Sequence, residues 1–352
     1  MAVIGPNAAD KLLGGYSGEP ESVISILEGV QSAAGEKLVI EHAEGVQITR
    51  AGYKGKRNAG DTIRLPTAEQ DKKGIAQAVA VASRADAILL VVGDNAQITR
   101  EATMPTSPGD RSTLNLFGGQ DLLVEAMIAT GKPLIALLLN GRPLAVGGLT
   151  EKANALLEGW YLGQEGGSAF ADVLFGHVNP SGKLPVSIPR SVGELPAFYN
   201  RHPSADKNTY IEAGKKRSAL FPFGFGLSYT TFEISAPRLE RAEVRAGEKL
   251  IFDVDVKNTG VREGSEVVQI YVRDDVSSVP RPVNELKAFR RVTLKAGQSR
   301  TLRFELAPEA FALWNRDMKR VVEPGMFTLS SGSSSEQLMP VKFRVIGQDL
   351  QI

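Results

Sequence analysis

Apolar positions in the first part of the chain fall into short continuous runs, separated by segments with a different spacing. Such runs are typical of buried strands, and they read AVIG, KLVIEHA, DAILLVVGD, PLIALLLN and ALLEGW. The segments between them repeat apolar residues at i, i+3, i+4 and i+7, as on one helix face, first at Val23, Ile26, Leu27 and Val30. Ser22 is the predicted N-cap of that helix. Together they predict an α/β fold, a layered, mostly parallel sheet flanked by helices.

From about residue 233 the apolar spacing changes to two. Leu250, Phe252, Val254 and Val256 alternate with polar residues, and the segments EVVQIYVRD and TLRFEL alternate in the same way. Regularly spaced strands of period two predict an all-β sandwich. We therefore predict an α/β domain over 1–215, a connecting or docking segment over 216–232 and a β-sandwich domain over 233–352.

Composition narrows the classes of function. The chain has 42% hydrophobic and 23% charged residues, a net charge of +1 and no cysteine. The absence of cysteine excludes disulfides, thiolate metal sites and cysteine nucleophiles. No stretch concentrates Lys and Arg, and no apolar run has the length of a membrane span, so neither nucleic acid nor a membrane is an expected partner. The three histidines lack metal-ligand spacing, and we expect neither a metal nor a cofactor.

Familiar nucleotide and hydrolase motifs are missing. The segment after the first strand reads GPNAADKLLGG, which lacks the G-x-G-x-x-G spacing of a dinucleotide site. No G-x-S-x-G follows any predicted strand, which argues against a serine hydrolase triad. Carboxylates are therefore the remaining candidates for chemistry.

The loop over 94–118 follows a predicted strand, at the end where open parallel sheets bind ligands. It is much longer than the usual connection of about 4–6 residues. Its segment TREATMPTSPGDR contains Glu101 and ends in Asp110 and Arg111. Spacing alone leaves Glu101 open between a catalytic carboxylate and a solvated loop residue.

A longer stretch around this glutamate, VVGDNAQITREATMPTSPGDRSTLNLFGGQ, resembles the acid/base loop of glycoside hydrolase family 3, the β-glucosidase and β-xylosidase family. Other segments resemble the same family in the expected order; they begin LEGWYLGQEGG, ALFPFGFGLSYTTF, VNELKAFRRVTL and VVEPGMFTLSSGSSS. The resemblance covers essentially the whole chain.

Membership of this family implies a three-part enzyme. A barrel carries an aspartate nucleophile, an α/β sandwich supplies the acid/base glutamate, and many members end in a fibronectin type III-like domain. The chain resembles the second and third parts only. The implied partners are a β-linked glucoside or oligosaccharide and the barrel, as a domain or companion chain of the same enzyme; a homo-oligomer stays open. A periplasmic or secreted location is a tendency of the family.

The resemblance also implies roles for single residues. Glu101 matches the general acid/base of retaining hydrolysis at terminal β-D-glycosides, most readily β-glucosides. Tyr16 and Ser17 match a loop that approaches the sugar. Asp110 and Arg111 match an Asp-Arg pair that either pins the loop or contacts substrate. Trp160 and Tyr161 are expected to pack beneath the loop, and Glu165 to start a helix. At Arg100 and Ala102 the chain departs from the residues most common in the family, which leaves the substrate preference of the chain open.

Three alternatives remain. The chain could be a self-sufficient glycosidase with Asp94 or Asp110 as the second carboxylate. It could be a non-catalytic carbohydrate-binding or assembly module, which an exposed aromatic stripe on the sandwich would favour. The strand aromatics Tyr271, Phe304 and Phe327 instead alternate as core residues do. Finally, its sugar could be that of a β-xylosidase or arabinofuranosidase.

Overall fold

A computed structural model describes residues 1–18, 20–50, 63–99, 110–203 and 219–352, together with the backbone of two short strands between the last two ranges. Glu101 lies outside the described residues, as do Arg100 and Ala102. Within the described ranges, no helix is long and apolar enough to cross a membrane.

Contacts group the chain into two compact units. Unit 1 comprises Met1–Val178 and Arg190–Gly193, and unit 2 comprises Asn179–Pro189 and Glu194–Ile352. Part of the segment that precedes the boundary at 215 thus groups with unit 2. The domain boundaries at 215 and 233 stay a prediction.

Unit 1 is built on one parallel sheet. Its strands are β1 Ala2–Ile4, β2 Glu41–Ala43, β3 Ile88–Gly93, β4 Leu134–Leu139 and β5 Ala155–Glu158, in the order β2-β1-β3-β4-β5. Its helices are α1 Ile26–Ala34, α2 Ala68–Arg84, α3 Gln120–Ala129, α4 Gly147–Lys152 and α5 Gly166–Leu174. All six residues of β3 are buried, as expected for a central strand covered on both faces. The predicted α/β fold is confirmed.

The cap of α1 differs from the prediction. Ser25, not Ser22, precedes the helix, and its hydroxyl accepts a hydrogen bond from the Glu28 N–H at 3.2 Å. The Glu28 carboxylate in turn accepts one from the Ser25 N–H at 2.8 Å. This reciprocal pair is a capping box, and it requires Ser and Glu three residues apart. The prediction of Ser22 as the N-cap was wrong, because the residue three positions after it is Ser25 and not a glutamate or glutamine.

Helices α1 and α5 pack closely at two glycines. A Cβ on Gly167 would lie 2.0 Å from the Ser25 carbonyl oxygen, and one on Gly29 would lie 2.2 Å from the Gly167 backbone. Only glycine permits this approach of the two backbones. The contact fixes the start of α5, and with it the loop that joins β5 to α5.

Unit 2 is rich in strands. They are β6 Thr209–Tyr210, β7 Lys215–Lys216, β8 Phe232–Ile234, β9 Arg238–Leu239, β10 Glu243–Arg245, β11 Leu250–Asn258, β12 Gly264–Asp274, β13 Glu285–Leu294, β14 Ser299–Leu306, β15 Leu313–Trp314, β16 Arg320–Val322, β17 Gly325–Gly332, β18 Leu338–Ile346 and β19 Leu350–Gln351. Of the short 3₁₀ helices, Gly35–Lys37 belongs to unit 1 and Pro308–Ala310 to unit 2, and Val192–Glu194 spans the boundary between residues of the two units.

A five-stranded sheet in the order β10-β18-β17-β12-β13 and a four-stranded sheet in which β8, β9 and β14 pair with β11 bury a shared core. The period-two prediction holds in β11, where Leu250, Phe252, Val254 and Val256 are each 0% exposed. Strands β15, β16 and β19 form a smaller sheet, and β6 pairs with β7. The predicted all-β sandwich is confirmed.

Candidate functional site

The loops after β1, β3, β4 and β5 all leave the same edge of the unit 1 sheet, because its strands run parallel. We call this the carboxyl edge; its loops are 5–25, 94–119, 140–146 and 159–165. Ligands of open parallel sheets bind outside this edge. The loop that contains Glu101 therefore starts and ends where a substrate would be expected.

Buried polar side chains line the carboxyl edge. Asn7, Asp94 and Asn140 are each 0% exposed. The Asn7 amide donates to the carbonyls of Asp94 at 3.1 Å and Leu139 at 3.2 Å, which ties three strand ends together. Among the described residues, Asn7 Oδ1, Gln97 Oε1 and Asn140 Oδ1 have no hydrogen-bond partner. Unpartnered buried polar atoms are rare enough in proteins to mark this edge as a candidate site.

Arg111 joins the two ends of the long loop. Its Nη2 lies 3.1 Å from Asp94 Oδ1, and the two side chains are 6% and 0% exposed. Its Nη1 donates to the Asn115 carbonyl at 2.7 Å, and its guanidinium lies 5.6 Å from the Phe117 ring centroid. These contacts are those of a residue that pins a loop. Whether Arg111 also reaches a substrate stays a prediction.

Asp110 pairs with a different arginine. Its carboxylate accepts a hydrogen bond from Arg142, in the loop after β4, and a second from the Arg111 N–H at 2.8 Å. The hydrogen bond from Arg142 is the main reason that the pKa of Asp110 lies below its usual range. The neighbouring residues Asp110 and Arg111 thus take part in two separate ion pairs. Arg111 pairs with Asp94, and Asp110 pairs with Arg142. Substrate binding by Asp110 stays a prediction.

Burial raises the pKa of Asp94 to about 6, while Arg111 and Arg142 act in the opposite direction. The carboxyl group is therefore mostly ionised at neutral pH, next to the buried guanidinium. A nucleophile must be open to the anomeric carbon of the sugar, and Asp94 is neither exposed nor unpaired. This burial argues against the self-sufficient glycosidase with Asp94 as its second carboxylate.

Glu158, at the end of β5, is a carboxylate that the sequence did not single out. Burial raises its pKa to about 7, and the charge of Asp94 adds to this effect. The Trp160 N–H, at 3.0 Å, and the Asn140 amide, at 3.4 Å, donate to it and oppose the rise. A glutamate at the end of an apolar strand, in ALLEGW, was the available signal.

Thr99 is the last described residue before the segment that contains Glu101. The Thr99 hydroxyl donates to the Asn95 carbonyl at 2.9 Å and lies 3.4 Å from the Tyr161 hydroxyl. Residues 100–109, with Glu101, are outside the described part of the chain, so the catalytic role of Glu101 stays a prediction.

Tyr16 and Ser17 lie in the loop after β1, at the same carboxyl edge. Tyr16 is 86% exposed. The Ser17 hydroxyl donates to the Leu13 carbonyl, and its N–H to the Gly14 carbonyl at 3.5 Å, so both bonds close a turn. Contact of these residues with a sugar stays a prediction.

In unit 2, Tyr271, Phe304 and Phe327 are 0%, 4% and 1% exposed, as core residues are. Phe289 and Trp314 are exposed, and they lie on β13 and β15, which belong to different sheets. They form no shared stripe on one strand.

Within the described ranges, no group of three or more His, Cys, Asp or Glu could hold a metal ion.

Comparison with known proteins assigns the family. Residues 1–229 match the glycosyl hydrolase family 3 C-terminal domain, and residues 266–335 match the fibronectin type III-like domain. The chain belongs to glycosyl hydrolase family 3. The resemblance inferred from the motifs is confirmed.

Two family 3 relatives illustrate the likeness. A β-xylosidase from Formosa agariphila is 42% identical over 350 residues, which cover 96% of this chain and 44% of the relative. A periplasmic β-glucosidase from Salmonella typhimurium is 37% identical over 361 residues, which cover 98% of this chain and 46% of the relative. The chain thus spans less than half the length of these two relatives.

Solved structures of β-glucosidases show the same likeness. A β-glucosidase from Erythrobacter marinus superposes with a TM-score of 0.92 at 41% identity, over 98% of this chain and 46% of that one. A β-glucosidase from Listeria innocua, in complex with glucose, superposes with a TM-score of 0.84 at 32% identity, over 99% of this chain and 46% of that one.

Proposed function

We propose that this chain is the C-terminal part of a retaining, exo-acting β-glycosidase that hydrolyses terminal β-D-glycosides, with Glu101 as its general acid/base. The aspartate nucleophile would come from a barrel outside this chain. The family assignment supports this division of labour, since the relatives are about twice as long as the matched segment.

One observation carries the assignment of Glu101. The loop that contains it is joined at its two ends by the buried pair of Asp94 and Arg111, and is held to the β4 loop by Asp110 and Arg142. The segment between these anchors therefore starts and ends at the carboxyl edge of the sheet. Structureless loops longer than about 12–15 residues are usually either functional or disordered, and we take the fixed ends as favouring function.

The chemistry needs two carboxyl groups about 5–5.5 Å apart. The aspartate attacks the anomeric carbon while protonated Glu101 gives its proton to the glycosidic oxygen, which leaves with the aglycone. The Glu101 carboxylate then takes a proton from water, and the hydroxyl attacks the anomeric carbon and releases the aspartate. Desolvation against the barrel and the neighbouring aspartate would both keep Glu101 protonated near neutral pH.

The same buried pair suits this role electrostatically. Asp94 and Arg111 carry opposite charges and are both buried, so together they fix the loop without adding net charge to the carboxyl edge. An unpaired arginine at that place would lower the pKa of a nearby carboxylic acid and weaken it as a proton donor.

Glu101→Ala in the assembled enzyme, made of this chain and the barrel, tests the proposal. We expect kcat for an aryl β-glucoside with a poor leaving group to fall by about 10²–10⁴-fold. Azide should restore turnover of an activated aryl glucoside, because it attacks the glycosyl-enzyme without needing a general base and yields the β-glucosyl azide. Glu36→Ala, an exposed glutamate beyond α1, is the matched control and should keep full activity. Full activity of Glu101→Ala would contradict the assignment.

The sugar is proposed on the names of the relatives. The solved structures with TM-scores of 0.92 and 0.84 are β-glucosidases, whereas the relative at 42% identity is named a β-xylosidase. We favour glucose, and xylose is the second candidate. Comparing kcat/KM for aryl β-glucoside, β-xyloside and arabinofuranoside decides between them. A periplasmic or secreted location is supported only by the name of the Salmonella relative.

A further inference from the structure

Tyr161 touches more loops of the carboxyl edge than its place in the sequence suggests. It lies in the loop between β5 and α5. A Cβ on Gly14, in the loop after β1, would lie 3.0 Å from its Cδ2 atom. A Cβ on Gly141, in the loop after β4, would lie 2.9 Å from its Cε2 atom. The ring is therefore packed against two glycine backbones from two other loops.

The hydroxyl of Tyr161 reaches the fourth loop. It lies 3.4 Å from the Thr99 hydroxyl, which donates to the Asn95 carbonyl at 2.9 Å. Thr99 stands two residues before Glu101. The tyrosine thus connects the loops after β1 and β4 with the segment that leads directly into the proposed acid/base residue.

The backbone that presents this ring is itself held in place. Trp160 has a φ of 52°, in the left-handed region that residues other than glycine seldom adopt. Its N–H donates to the Glu158 carboxylate at 3.0 Å, which stabilises the turn. Such conformations persist only where the surroundings fix them, and they are frequent at functional sites.

We propose that Tyr161 is a positioning residue for Glu101, acting through its hydroxyl on Thr99 while its ring fixes the neighbouring loops. This inference rests on the proposed function of Glu101. It goes beyond packing beneath the loop, because a packing role needs only the ring, whereas positioning through Thr99 needs the hydroxyl.

Tyr161→Phe separates the two roles, since it keeps the ring against Gly14 and Gly141 and removes only the oxygen. If the hydroxyl orients the general acid, the loss must depend on the leaving group. A phenol of low pKa, such as 2,4-dinitrophenol, leaves without protonation, while a phenol of high pKa needs the acid. We expect kcat/KM in the assembled enzyme to fall about two- to tenfold for phenyl β-glucoside and to change little for 2,4-dinitrophenyl β-glucoside.

A second measurement needs no activity. The Ile98 N–H donates to the Asn95 carbonyl at 3.2 Å, in the turn that Thr99 completes. Hydrogen–deuterium exchange of this amide in the 352-residue chain should be faster in Tyr161→Phe than in the wild type. Tyr229→Phe, whose ring lies under Arg262 in unit 2, is the matched control for both measurements and should behave as the wild type.

Equal kcat/KM values for Tyr161→Phe and wild type at every leaving group, or a loss of the same size at all of them, would overturn the inference. So would unchanged exchange at Ile98. Failure of the proposed function gives a different result, since Glu101→Ala would then stay active with poor leaving groups. An inactive Glu101→Ala beside an unaffected Tyr161→Phe would leave Glu101 as the acid/base and remove only the role of Tyr161.

Discussion

Protonation of Glu158 makes the stability of the fold depend on pH. Its pKa of about 7 in the folded chain exceeds its ordinary value of 4.5, so the folded state binds the proton more tightly than the unfolded state. Glu158 therefore stabilises the fold most at pH values below about 4.5, and this contribution is lost as the pH rises through about 7.

Glu158→Gln should remove this pH dependence. Glutamine stays neutral and its side-chain oxygen still accepts from the Trp160 N–H, so we expect the variant to unfold at pH 8 with a free energy roughly 1–3 kcal/mol above that of the wild type. Near pH 4.5 the two should be about equal. Urea unfolding followed by Trp160 fluorescence in a Trp314→Phe background measures the difference. Glu36→Gln is the control, and parallel pH profiles for Glu158→Gln and the wild type would contradict the expectation.

The partners and environments of single residues could not be predicted from the sequence. The type and order of residues around Asp110 and Arg111 indicated an ion pair, but not its partners, because Asp94 and Arg142 come from two separate strand ends. Glu158 went unnoticed for the same reason: its environment is created by Asn140 and Asp94, which are distant in sequence. A shifted pKa depends on burial and on neighbouring charges, and neither can be inferred from the residues adjacent in sequence.

Elements were more predictable than residues. Strands β3 and β4 and the alternation in β11 follow from apolar spacing alone, since each face of those strands meets a uniform environment. The strand predicted at KLVIEHA is only Glu41–Ala43, at an edge of the sheet where fewer neighbours fix its length. Period two also could not reveal that β10 pairs with β18 in parallel, because the direction of a neighbour leaves no mark on spacing.

The crossing of α1 and α5 gives a test at this scale. Gly167→Ala would place a Cβ 2.0 Å from the Ser25 carbonyl oxygen, so one helix must shift. We expect a loss of about 2–3 kcal/mol in the free energy of unfolding of unit 1, typical of overpacking against a backbone. Gly148→Ala is the matched control: it lies in α4, and an added Cβ there meets nothing within 4 Å. That variant should be neutral or up to about 1 kcal/mol more stable.

Urea unfolding followed by Trp160 fluorescence compares the two glycine variants. If Gly167→Ala proves as stable as Gly148→Ala, the close contact of α1 and α5 does not exist as described. If it is destabilised while far-ultraviolet circular dichroism keeps its helical signal, the loss lies in the packing of the two helices rather than in helix formation.

At the scale of the whole molecule, the fold class came from spacing but the function came from long motifs. An α/β layer followed by a β-sandwich suits many activities, so architecture alone could not select one. The motifs that surround Glu101 and Trp160 supplied the family, which residues 1–229 then matched. The second carboxylate of the proposed catalytic pair was not identified among these residues, and the proposal therefore divides the pair between this chain and a barrel.

This division predicts that the purified 352-residue chain will not hydrolyse an aryl β-glucoside by itself. The carboxylates nearest in sequence to Glu101 are already paired. Asp94 is buried with Arg111, and Asp110, although exposed, is hydrogen-bonded to Arg142, so neither is a free nucleophile. Turnover should appear on addition of the barrel in trans, provided the two parts associate. The assay is release of the phenol, with intact mass recorded on the same preparation to exclude a second polypeptide. Turnover by the lone chain that Glu101→Ala abolishes would mean that the nucleophile lies within these residues after all, and Asp110→Asn would then be the first variant to make.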